Sequence, residues 1–103
     1  MERVYSAPLI SLSELLKSII NRGYRSRTIR VQYSTLSEYL NIADHLKIMR
    51  DFKDGVPRTA YLGVVTCFVY GVRIYIAPNP SSWEKYDPKW EALPSANDVI
   101  TFL

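Results

Sequence analysis

The sequence predicts an α+β fold: two β-α units, a mixed or antiparallel sheet with both helices packed on it, a β-hairpin, and a Pro/Trp-rich C-terminal arm. Three observations carry the prediction. Arg3-Val4-Tyr5-Ser6 leads to Leu12-Ser13-Glu14-Leu15-Leu16, and Arg30-Val31-Gln32-Tyr33-Ser34 leads to Leu36-Ser37-Glu38-Tyr39-Leu40, so one strand-then-helix pattern occurs twice. Both helical stretches carry an apolar stripe at helical spacing. The run Tyr61 to Val69 is β-branched, aromatic and nearly free of charge.

Glu2 to Ser6 is the first strand, broken by Ala7-Pro8. Ser11 to Glu14 reads as a capping box, in which a hydroxyl and a carboxylate satisfy the open amides of a helix start. Leu12, Leu15, Leu16, Ile19 and Ile20 then point inward, and Gly23 is the natural stop. From Arg25 to Tyr33 the residues alternate: Ile29, Val31 and Tyr33 face one way, Thr28, Arg30 and Gln32 the other, as in a half-buried strand.

Thr35 to Glu38 is a second capping box. Its helix carries Leu36, Tyr39, Leu40, Ala43 and Leu46 inward, widened by Ile42 and Met49, and ends before Asp54-Gly55. The apolar run 61–69 reads as a central strand covered on both faces. Val72-Arg73-Ile74-Tyr75-Ile76 resumes the pattern after Tyr70-Gly71, either as a hairpin partner or beyond a bulge. Four prolines and both tryptophans between Pro78 and Pro94 predict an irregular arm, and Asp98 to Leu103 pairs as a last strand. Parallel, right-handed crossovers would put both helices on one face.

At 103 residues, 48% hydrophobic and 22% charged, the chain reads as one domain, residues 1–103, with units at about 2–24 and 28–52 that are a candidate duplication. Two capped helices can also start alike without common origin, because small polar caps followed by Leu and Glu are common. The net charge of +3 tolerates an acidic partner without requiring one. One cysteine excludes an internal disulfide and a Cys-rich zinc site. The single cysteine makes intracellular the expected compartment; no stretch nears the roughly 18 apolar residues of a membrane span, and no signal peptide is read.

Four features could carry function. The crevice between the two units could take a peptide. Arg22, Arg25, Arg27 and Arg30, with Tyr24 beside them, could grip phosphates and stack bases, although a charged outer strand face would look the same. Trp83, Tyr86 and Trp90 could form a sticky clamp or fold back over the core. The strands at 25–33 or 98–103, if left at an edge, could add a peptide strand or a second copy of the chain. His45 reads as a solvated surface residue and Cys67 as a buried, unreactive thiol. The irregular spacing of Asp44, Asp51 and Asp54 does not read as a metal loop, and no glycine pattern reads as a phosphate loop.

Abundant tyrosine beside Ile and Arg, as in Arg73-Ile74-Tyr75-Ile76, with a single cysteine and no motif, resembles the small orphan proteins of filamentous and rod-shaped archaeal viruses. That resemblance implies a heat-tolerant accessory protein in the host cytoplasm that binds a protein or a nucleic acid. The expectation is therefore a non-enzymatic module without cofactor or metal. It would bind a protein or peptide through Tyr33, Tyr39, Tyr75, Trp83, Tyr86 and Trp90, with homodimerisation open. The alternative is nucleic-acid binding through Arg22, Tyr24, Arg25, Arg27 and Arg30.

Overall fold

A computed structural model describes residues 2–22, 27–49, 63–79 and 93–103. The order is β1 (Arg3–Ala7), a 3-10 turn (Leu9–Ser11), α1 (Leu12–Ile20), β2 (Thr28–Tyr33), α2 (Leu36–Ile48), β3 (Val65–Val69), β4 (Val72–Pro78) and β5 (Asp98–Phe102). The expected α+β class is observed, with two helices and a five-stranded mixed sheet.

The strand order is β1-β5-β2-β4-β3. β1, β5, β2 and β4 run parallel, and β3 is antiparallel to β4. The last strand in sequence thus sits between the first two. β2 and β5, considered above as open edges, are interior; among the described strands the edges are β1 and β3. The apolar run that reads as a central strand is, in its described part, the edge strand β3, with Thr66 and Phe68 exposed.

One face of the sheet carries the core. Ile29, Val31 and Tyr33 of β2, Ile74 and Ile76 of β4 and Ile100 of β5 are fully buried with Leu12, Leu16 and Ile19 of α1 and Tyr39, Ile42 and Leu46 of α2. Both helices therefore pack on the same face. Each fully buried Leu or Ile contributes on the order of 2 kcal/mol against leaving it in water. The inward stripe on α2 is rotated from expectation: Leu36 is exposed, Leu40 and Ala43 are half-buried, and Ile42 and Met49 are core residues.

The two helix starts differ. Thr35 caps α2, its Oγ1 accepting from the Glu38 amide at 3.1 Å, while the Glu38 carboxylate accepts from the Ser34 amide at 3.2 Å. Ser11 makes no side-chain cap bond, because the preceding 3-10 turn runs straight into α1. β3 and β4 form a two-residue hairpin through Tyr70 (φ 51°) and Gly71 (φ 79°), the left-handed pair that matches the twist of the flanking strands.

The second face is not solvated along the middle of the sheet. Arg30 and Gln32 of β2, Ala77 of β4 and Val99 of β5 are buried there. Alternation correctly separates the two faces of β2, but both are covered. Among the described helices, none is long and apolar enough to cross a membrane.

Candidate functional site

The densest charged cluster among the described residues lies where the C-terminal segment enters the sheet. Asp98 opens β5, fully buried, and its Oδ2 accepts from Nε of Arg27. Asn97 and Thr28 bond reciprocally: the Asn97 amide donates to the Thr28 carbonyl at 3.0 Å, and the Thr28 amide donates to Asn97 Oδ1 at 2.8 Å. On the other face, Arg30 donates through Nη1 to the Pro94 carbonyl at 2.6 Å. The same nitrogen lies 3.1 Å from a Glu2 oxygen. At the far end of β5, the Leu103 amide donates to the Ala7 carbonyl at 3.2 Å.

Arg27 and Arg30, expected to meet phosphate, therefore serve the fold. Arg27 holds Asp98, and Arg30 spans from Glu2 to Pro94 with its side chain only 10% exposed. A guanidinium whose terminal nitrogens already meet a carboxylate and a carbonyl, and which is largely out of water, presents no open fork to an anion. Arg22 stands apart and donates to the Tyr5 hydroxyl at 2.7 Å. Tyr24 and Arg25 lie outside the described residues.

Among the described residues, the tyrosines expected to bind a peptide do not form one surface. Tyr33 and Tyr39 are fully buried in edge-to-face contact, ring centres 5.0 Å apart, and offer no surface to a ligand. Desolvation raises the Tyr39 hydroxyl above its ordinary pKa. Tyr75 is half-buried on the second face, in register with Arg30. Trp83, Tyr86 and Trp90, with the expected arm around them, lie outside the described residues. Leu16 and Ile19 of α1 and Ile42 and Leu46 of α2 are fully buried in one core cluster. A 3.1 Å hydrogen bond between Ser13 Oγ and His45 Nδ1 joins the two helices. His45 is thus half-buried between helices rather than solvated.

Cys67 behaves as read: burial pushes its thiol up to about 12, far from a reactive thiolate. Among the described residues no group of three or more His, Cys, Asp or Glu is placed to hold a metal ion.

Asp98, Asn97 and Glu2 went unrecognised in the sequence reading. A signal for Asp98 was available: an acid directly ahead of Val99-Ile100 has to be paired if the strand is buried, and Arg27 and Arg30 are arginines with no acid near them in sequence.

Comparison with known proteins sets the functional context. The GNT-I family model matches residues 1–90. The chain is 39% identical to α-1,3-mannosyl-glycoprotein 2-β-N-acetylglucosaminyltransferase of Arabidopsis thaliana over 54 residues, which is 52% of this chain and 12% of that protein's length. No solved structure matches. These matches overturn the resemblance to archaeal viral proteins, which rested on composition alone. They overturn equally the non-enzymatic reading and both of its forms, the peptide-binding groove and the nucleic-acid-binding arginine strand: the chain is similar to an enzyme that transfers a sugar.

Proposed function

The chain belongs to the GNT-I family, and from that premise we propose that its protein takes part in transferring N-acetylglucosamine to a mannose residue of a glycoprotein. The observation that supports this most is the extent of the family match, residues 1–90. The Arabidopsis relative adds the acceptor and linkage that its name states.

The proposed reaction is a glycosyl transfer. A hydroxyl oxygen at C2 of the mannose bonds to the anomeric carbon of an activated N-acetylglucosamine. The bond from that carbon to the donor's leaving group breaks, and the electron pair leaves with it. The hydroxyl proton passes to a base. Because the chain covers 12% of the relative's length, the activity is proposed for the whole protein. Among the described residues Asp98 pairs with Arg27, Glu2 pairs with Arg30, and Glu38 closes the cap of α2.

The test is a transfer assay on the full-length protein. Synthetic glycans ending in α-1,3-linked mannose are incubated with nucleotide-diphosphate N-acetylglucosamine donors and analysed by mass spectrometry and linkage analysis. The expected product gains one N-acetylhexosamine, β-linked at O2 of the mannose. A folded protein that transfers nothing from any of these donors would overturn the proposal.

A further inference from the structure

The family match ends at residue 90, and β5 begins at Asp98. The matched part contains β1, β2, β3 and β4, whereas the strand that joins β1 to β2 comes from outside it. Among the described strands β1 pairs with β5 alone, over Arg3↔Asp98 to Ala7↔Phe102. On its other side β5 pairs with β2 over Ile29↔Asp98 to Val31↔Ile100. β1 and β2 thus form the two walls of a slot one strand wide.

The slot is selective. Both walls supply backbone donors and acceptors along a parallel ladder, which takes any extended chain in one direction. Side chains narrow that choice. Ile100 drops fully buried into the helix-side core, and Val99, 3% exposed, packs on the opposite face in register with Arg30. Asp98 enters on the helix side at the mouth, where Arg27 meets it. The entering segment is gripped at Pro94 by Arg30, at Asn97 by Thr28, and at its end by the Ala7 carbonyl. The acid is selected by Arg27, which a neutral residue at position 98 would leave without the carboxylate it meets there.

The geometry points to a strand-binding site between β1 and β2, specific for an extended segment with an acid directly ahead of two apolar residues. Residues 93–103 occupy it as a ligand carried on the same chain. This rests on the sheet and on the extent of the match, not on the transferase reading, so either can fail without the other.

The test uses the full chain with a protease site inserted between residues 92 and 93. After cleavage, the 93–103 fragment stays with the protein through size-exclusion chromatography. A fluorescent peptide of residues 93–103 then exchanges into the cut protein. The same peptide carrying Asp98→Asn binds at least ~10-fold more weakly, as expected for one half of a buried ion pair. Loss of the fragment on cleavage, whether or not the rest unfolds, overturns the inference. Equal binding of the two peptides overturns the specificity.

Discussion

Arg27 and Asp98 stand 71 residues apart in the chain and form an ion pair where the last strand enters the sheet. Asp98 is fully buried and Arg27 is largely so, with 18% of its side chain exposed. A charge taken that far from water is tolerated because its partner meets it there, and removing one partner strands the other. The pair therefore fixes the register of β5 more than it adds to net stability.

Asp98→Asn is expected to destabilise the chain by roughly 3 kcal/mol, the usual scale for breaking a buried pair. Replacing both residues with apolar ones, Arg27→Met with Asp98→Leu, costs less than the two single changes summed. Urea denaturation of the four proteins as a double-mutant cycle checks this, and strict additivity would show that the pair is not coupled.

The two helix starts predict a contrast. Thr35→Ala removes a bonded cap and costs about 1 kcal/mol. Ser11→Ala should be close to neutral, because the Ser11 side chain caps nothing. Thermal melts of the two variants separate them, and equal losses would contradict the difference.

At the hairpin, Tyr70 holds φ 51°, a conformation that costs a bulky residue and that Asn adopts readily. Tyr70→Asn should raise stability by roughly 0.5 kcal/mol, in line with relieving a left-handed residue. Gly71→Ala should lower it by about 1 kcal/mol: φ there is +79°, although nothing lies within 4 Å of an added Cβ. The Gly71 loss would therefore come from backbone strain rather than from a clash. Chemical denaturation reads both signs.

How far the fold was legible follows from where its signals are local. The Thr35–Glu38 cap, the Ile29–Val31–Tyr33 alternation and the Tyr70-Gly71 turn each speak for a few neighbouring residues, and each is observed. Strand order is not local. Nothing within Asp98–Phe102 says whether it lies at an edge or between β1 and β2, because pairing depends on partners far away in sequence. The arginines misled for a related reason. Alternation tells that Arg30 faces away from Val31, but not that the chain near Pro94 returns to cover that face. The family was invisible to composition, since tyrosine content and a single cysteine carry no chemistry of sugar transfer.

Cys67 gives a pH prediction. Its folded-state value of about 12 lies above the ordinary thiol value of 9.0, because burial disfavours the thiolate. The folded state therefore holds the proton more tightly than the unfolded state. The contribution is fully present below pH 9.0 and declines by about 1.4 kcal/mol per pH unit as pH rises from there toward 12. Cys67→Val removes that slope. Denaturation midpoints of both proteins across alkaline pH should diverge above 9.0, and parallel curves would contradict the burial of the thiol.

The position of β5 between β1 and β2 is tested most directly by native-state amide hydrogen exchange on the full chain, compared with Asp98→Asn. If β5 is the bridge, loosening it must loosen β1, whose partner it is. The predicted result is a shared loss of protection across Val4–Ala7 and Val99–Phe102, with the β2–β4 ladder less affected. A β1 that keeps its full protection while β5 opens would contradict the account.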